Sequence, residues 1–216
     1  MSKQYRKSAQ RVSGRKRNKT DAPPDETVGL RIIGGLFRGR KLLYSGQRRT
    51  RPMKDRLREA VFNLIGGEIA GTHAIDLFAG TGALGLEAIS RGAAEATLIE
   101  QHFPTADVIR QNVGTLRVES QTEIVTGDVF IWARRLPDLG TAPWLVFSSP
   151  PYDFYVSRAD EMIFLLKRLI HDAPDKSIFL VEADDRFDFT RLPDLKAWDI
   201  RSYPPAVIGI YRKKTV

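Results

Sequence analysis

The stretch Ile75-Asp76-Leu77-Phe78-Ala79-Gly80-Thr81-Gly82-Ala83-Leu84-Gly85 decides the fold of this chain. An apolar run enters it, glycines interrupt it and helical periodicity leaves it, so it reads as strand, tight turn and helix. Gly80 and Gly82 carry no side chain that would hold a ligand off the backbone, and with Gly85 they match the spacing of a dinucleotide-binding turn. Glu100 lies 20 residues beyond Gly80, at the end of the next strand-like run, where an acid can bind ribose hydroxyls.

Working outward, short apolar runs recur at Ala74 to Ala79, Ala96 to Ile99, Glu123 to Val125, Trp144 to Phe147 and Ile178 to Val181. Between them, 83–91, 104–116, 128–135 and 158–171 carry helical periodicity. The alternation predicts an α/β domain built on a parallel sheet with a Rossmann-like order. Two further runs, Ala197 to Tyr203 and Ala206 to Tyr211, are joined only by Pro204-Pro205. That link is too short for a parallel crossover, so the last strand is expected to enter antiparallel. Upstream of the body, Leu30 to Ile33 and Arg38 to Tyr44 flank Gly34-Gly35 and read as a small basic β-hairpin. From Lys54 to Ile65 the positions Leu57, Ala60, Val61, Leu64 and Ile65 fall on one helical face, between Pro52 and Gly66-Gly67.

Of the 216 residues, 42% are hydrophobic and 28% charged, enough for a sizeable core. No run is long or apolar enough to cross a bilayer or serve as a secretory leader, so a soluble, cytoplasmic protein is expected. Cysteine is absent, and only His73, His102 and His171 supply imidazole, so no metal site is expected. The net charge of +8 is unevenly placed. Residues 1–60 hold 18 Lys/Arg against 5 Asp/Glu, whereas the remainder holds 16 against 21. A basic leading segment on a mildly acidic body points to an anionic partner, and without an amphipathic apolar face nucleic acid is favoured over membrane. The expected organisation is a disordered basic tail over 1–29, an RNA-binding extension over 30–70 and a catalytic domain over 71–216.

The chemistry narrows the cofactor. Asp76 at the strand end would repel a pyrophosphate but can pair with an ammonium group, which favours S-adenosylmethionine over a nicotinamide dinucleotide. Asp128, after the third strand of the body, can accept from an adenine amino group, or it can simply cap the following helix. Ser148-Ser149-Pro150-Pro151-Tyr152 follows the fourth strand at its carboxyl end, where open α/β sheets bind their ligands. Two prolines fix the backbone and offer no amide donors, which leaves carbonyls and the Ser149 hydroxyl as acceptors, while Tyr152 offers a flat face for stacking a base.

These residues together resemble the class I S-adenosylmethionine-dependent methyltransferases that modify exocyclic amines of nucleobases. Within them the chain is most similar to the RsmD family, which methylates guanine N2 of small-subunit (16S) ribosomal RNA. The resemblance covers roughly residues 30–214. It rests on Arg31-Ile32-Ile33-Gly34-Gly35 with Arg38-Gly39-Arg40, on Arg51-Pro52 with Asp55-Arg56, Arg58-Glu59 and Phe62-Asn63, on the Asp76 to Gly85 turn, and on Pro150-Pro151-Tyr152. It implies a mostly parallel methyltransferase sheet and a cofactor site of Asp76, Phe78, Gly80, Gly82, Glu100 and Asp128. It also implies a target-base site of Ser149, Pro150, Pro151 and Tyr152, with RNA contacts from Arg31, Arg38, Arg40, Arg51 and Arg56. The implied partner is ribosomal RNA or a small-subunit assembly intermediate, bound by a monomer without metal. Two positions depart from the family: Ser149 stands where Asp or Asn is usual, and Met53 where Thr is usual. Ser-Pro-Pro-Tyr also resembles the motif of cytosine-amino DNA methyltransferases. The residues leave room as well for a nicotinamide oxidoreductase or a noncatalytic RNA-binding protein.

Overall fold

The computed structural model describes residues 29–44 and 52–215, so Arg51 and the basic tail through residue 28 lie outside the described residues. Seven strands form one sheet: β1 His73–Asp76, β2 Glu95–Glu100, β3 Thr122–Thr126, β4 Trp144–Ser148, β5 Ile178–Asp184, β6 Trp198–Tyr203 and β7 Ala206–Arg212. Their order is β3-β2-β1-β4-β5-β7-β6. The first five pair in parallel, and β7 runs antiparallel between β5 and β6, as the short proline link demands. The helices are α1 Asp55–Ile65, α2 Ala83–Ser90, α3 Phe103–Leu116, α4 Val129–Arg134, α5 Phe154–Ser157 and α6 Ala159–Asp172.

Alternation along the strands divides the core into two layers. Ala74, Leu98, Leu145, Phe147 and Leu180 join one buried cluster with Val61 and Phe62 of α1, Leu86 of α2 and Ile109 of α3. Ile75, Ile99, Val146 and Phe179 join the other with Val129 of α4 and Met162 and Leu166 of α6. Both faces of the sheet are therefore covered, which is why these strands read as unbroken apolar runs. Strand β1 is shorter than its apolar run because Leu77 to Ala79 turn toward the glycines, though the Leu77 and Ala79 amides still donate to Phe147 and Ile99 across the sheet. The helix expected over 158–171 is α6, and the single turn α5, which the sequence does not signal, precedes it.

The leading segment differs from a regular hairpin. Its arms meet at one antiparallel bridge, Arg31 opposite Lys41, with the Ile32 amide donating to the Arg40 carbonyl and the Leu42 amide to that of Leu30. What holds it is the buried carboxylate of Glu87 on α2, which accepts from the Ile33 and Gly34 amides and from Arg91 Nε, each at 2.7 Å. Arg58 of α1, fully buried, lies 3.9 Å from the same carboxylate and donates to Asp55 and to the Arg31 carbonyl. Burial lowers the Arg58 pKa, and the Asp55 and Glu87 charges oppose that shift. Gly35 approaches so closely that an added Cβ would fall 1.8 Å from the Ser90 carbonyl oxygen. Met53, the departure from the family residue, is buried in the same apolar cluster, where a methionine's length is useful.

Glu87→Ala removes the acceptor for two backbone amides and leaves Arg58 and Arg91 without their shared carboxylate. It should cost about 3 to 5 kcal/mol of folding stability, the range for breaking a buried pair, seen as a lower urea midpoint. A loss under about 1 kcal/mol would show that the segment is held by apolar packing alone.

Candidate active site

The sheet order reverses between β1 and β4, and such a switch point opens a crevice at the carboxyl ends of the two strands. Register fixes what borders it. Asp76 is paired with Phe147, and Ser148 with Val181, so Ser149 and Glu182 stand side by side one residue further on.

On the β1 side, Gly80 and Gly82 both have positive φ, 55° and 79°, a left-handed backbone that a side chain would strain. Gly85 serves packing: an added Cβ would lie 2.1 Å from Leu98 Cδ2, so the glycine lets α2 approach β2. Glu100 ties the turn down, its Oε2 accepting from the Gly80 amide at 2.9 Å and its Oε1 from the His102 amide at 2.8 Å. Asp76 is buried; its Oδ2 accepts weakly from the Gly85 amide at 3.4 Å, and its Oδ1 has no hydrogen-bond partner among the described residues. Burial pushes its pKa up to about 7, with the nearby Glu100 charge adding to the rise and the Gly85 and Phe78 amides opposing it. A buried carboxylate oxygen without a donor is costly, and a cationic ligand group beside the glycine turn would remove that cost.

Asp128 caps α4, its Oδ1 accepting from the Phe130 and Ile131 amides at 2.7 and 3.2 Å. Phe78 is half-buried at the crevice and packs edge-on against Phe130 and Phe154, whose centroids lie 6.4 and 5.8 Å away. The Arg158 guanidinium covers the two outer rings, 4.1 Å from Phe130 and 5.3 Å from Phe154. The segments that follow β1, β3 and β4 thus share one aromatic wall.

On the β4 side, Pro150 is buried and Pro151 exposed. Ser149 Oγ donates to Glu182 Oε2, and Tyr152 Oη donates to Glu182 Oε1 at 2.9 Å. Ser148 bonds instead to the buried Tyr155 hydroxyl at 2.9 Å. Asp153 is held away by Arg186 at 2.9 Å. Burial raises the Glu182 pKa, and the two hydroxyl donors draw it back. The sequence pattern singles out Ser149 and Tyr152 but misses Glu182, Phe130 and Phe154. Glu182 is the acid directly after the apolar run Ile178 to Val181, and that position is its only local signal.

Among the described residues, the arginines expected to contact RNA, Arg31, Arg38, Arg40 and Arg56, lie on the leading segment and α1 rather than on the loops that border this crevice. The Leu36 and Phe37 amides donate to the Ser90 carbonyl and hydroxyl, which places the exposed Arg38 and Arg40 near the far end of α2, about 12 Å along the helix from the glycine turn. Arg31 pairs with Asp55 at 3.3 Å, and Arg56 is exposed on α1. Among the described residues no group of three or more His, Cys, Asp or Glu could hold a metal, and no helix is long and apolar enough to cross a membrane.

Helices on both faces of a sheet in this order, with a glycine turn after β1 and a Pro-Pro-Tyr loop after β4, define the class I methyltransferase fold. The solved structure of the Escherichia coli protein yhhF shares it with a TM-score of 0.69 and 28% identity, over 86% of this chain and 98% of that one. An RNA methyltransferase from Salinibacter ruber, solved with S-adenosyl-L-homocysteine, has the same fold at 16% identity, with a TM-score of 0.55 over 77% of this chain and 95% of that one. Residues 30–211 match the family described as Conserved hypothetical protein 95, and the chain belongs to that family. It is 40% identical over 123 residues to the ribosomal RNA small subunit methyltransferase D of Escherichia coli strain K12; the match takes in 57% of this chain and 60% of the length of that relative.

Asp76 gives this site a pH signature. An acid with a raised pKa in the folded protein keeps its proton longer when folded, so folding is favoured at low pH and the advantage is lost between about pH 4 and pH 7. Relative to Asp76→Asn, the ligand-free protein should lose on the order of 4 kcal/mol across that window, by urea denaturation at each pH. Parallel stability curves for the two proteins would show that Asp76 ionises normally.

Proposed function

We propose that this chain is an S-adenosylmethionine-dependent methyltransferase that modifies the exocyclic amine of guanine, N2, in small-subunit ribosomal RNA. The observation that carries the proposal is that Ser149-Pro150-Pro151-Tyr152 lies across the β1/β4 crevice from the glycine turn and the unpartnered Asp76 oxygen. The activity for which the Escherichia coli relative is named favours the same reaction, and the ligand of the Salinibacter protein favours the same cofactor.

The residues present fit that cofactor. Asp76 Oδ1 would take the ammonium group. Each Glu100 oxygen already accepts one amide and keeps a lone pair for a ribose hydroxyl. With both capping bonds on Asp128 Oδ1, its Oδ2 can accept an adenine amino hydrogen. Phe78 would close the pocket as an apolar wall. When bound, S-adenosylmethionine supplies an electrophilic methyl group on a sulfonium sulfur.

The chain's own contribution is to present a poor nucleophile correctly. An amine conjugated to a base ring has a delocalised lone pair, so it must be held in line and pyramidalised. The Ser149 hydroxyl oxygen and the Pro150 carbonyl accept the two amino hydrogens, and Tyr152 stacks on the extruded base. Arg38, Arg40 and Arg56 contact phosphates along the α1 and α2 flank, joined by Arg31 and Arg51 and by the basic tail. The substrate is free ribosomal RNA or an assembly intermediate, bound by a monomer in the cytoplasm without a metal.

Digestion and mass spectrometry of small-subunit RNA from cells with and without this protein should show one N2-methylguanosine that depends on it. Ser149→Ala should leave cofactor affinity within about twofold and lower methyl transfer by roughly ten- to a hundredfold, about 1.4 to 2.7 kcal/mol of transition-state stabilisation. A dependent methyl group on cytosine or adenine would overturn the guanine assignment, and the absence of any dependent modification would overturn the enzyme.

A further inference from the structure

Glu182 is only 5% exposed at the crevice, and both its carboxylate oxygens accept hydroxyls from the loop assigned to the target base. Among the described residues no lysine, arginine or histidine stands within ion-pair distance of it, and the ionisable group otherwise facing it is the buried Tyr155 hydroxyl. A buried carboxylate balanced only by hydroxyls is destabilising for the resting protein. The arrangement becomes favourable once a positive charge appears next to it, and methylation of an amine creates one.

We propose that Glu182 is a positioning residue that acts through Ser149, supplying from β5 a negative charge that the Ser149 to Tyr152 loop does not itself carry. This rests on the methyltransferase reading above. Because the Ser149 hydroxyl hydrogen is committed to Glu182, its oxygen lone pairs face away from the carboxylate and are enriched by it, a charge-assisted acceptor rather than an ordinary serine. The balance of the step is complete within this pair. The nitrogen forms a bond to the methyl carbon as the carbon–sulfur bond breaks, the positive charge passes from sulfur to nitrogen, and one amino proton leaves. That proton goes to Ser149 Oγ, whose own proton passes to Glu182 Oε2. Tyr152, bonded to the other oxygen, keeps the carboxylate from rotating away.

The register supports this role. Ser148 is paired with Val181, so Ser149 and Glu182 are the next residues on adjacent strands, and the longer glutamate side chain spans the gap to the serine hydroxyl. Asp153, the other acid near the loop, is engaged by Arg186 and faces a cation already.

Three proteins decide the matter: the parent, Glu182→Gln and the double variant Ser149→Asp with Glu182→Gln. Each is assayed with labelled S-adenosylmethionine on unmodified small-subunit RNA transcribed in vitro, free and reconstituted with ribosomal proteins. Glu182→Gln should lower kcat at least about thirtyfold, with KM for RNA and cofactor affinity within about threefold, and should remove the acid limb of the pH profile; the double variant should regain at least about tenfold of that loss. Without cofactor or RNA, carbon NMR of protein labelled at the glutamate carboxyl should show Glu182 titrating above the ordinary range, and higher still in Ser149→Ala. This readout stands even if Glu182→Gln does not fold. A parent that methylates no RNA overturns the proposed function, whereas an active parent matched by Glu182→Gln, or a Glu182 signal unmoved by Ser149→Ala, overturns this inference alone.

Discussion

The parallel register of β1, β4 and β5 is the constraint on which the rest of the molecule depends. Pairing Asp76 with Phe147 and Ser148 with Val181 brings the ends of β1 and β4 level with the middle of β5, and the chain reverses its order across the first of these pairs. A slip of one residue in β4 would exchange Phe147 and Val146 between the two core layers and turn the Pro-Pro loop from the crevice, so apolar packing on both faces enforces the position of the polar groups. The site is precise because the core around it is not free to shift.

A second constraint joins the leading segment to that sheet. Glu87 lies on α2, the helix launched by the glycine turn, and its carboxylate accepts the backbone amides of residues 33 and 34 while facing Arg58 of α1. Arg31, Arg38 and Arg40, three of the arginines proposed to contact phosphate, are therefore carried by a loop clamped to the same helix whose first turn borders the crevice. RNA bound along this flank and a base in the crevice would be positioned together, as the proposed extraction of one base from a folded RNA requires.

Much of this was legible in the sequence because the signals were local. The glycine turn, the five apolar runs and the proline link each specify an element through backbone sterics or periodicity, and the observed elements match their expected ranges within a few residues. Asp76, Glu100 and Ser149 could be picked out because each ends or directly follows a strand. Glu182 could not, because its significance comes from the lateral pairing of β4 with β5, which joins it to a serine 33 residues away and which no local pattern encodes. The leading segment pairs its arms antiparallel at a single bridge rather than along two strands, and the glutamate that satisfies its Ile33 and Gly34 amides is distant in sequence, which no local pattern encodes. Met53 looked like a departure at a polar position and proves to be part of the core.

If one crevice takes the cofactor on its β1 side and the base on its β4 side, a crystal structure of the protein with S-adenosyl-L-homocysteine tests that division most directly. The ligand's ammonium is predicted within hydrogen-bond distance of Asp76 Oδ1, its ribose on Glu100, and its sulfur facing the Ser149 to Tyr152 loop. A ligand seated away from Asp76, or one whose sulfur points from that loop, would contradict it.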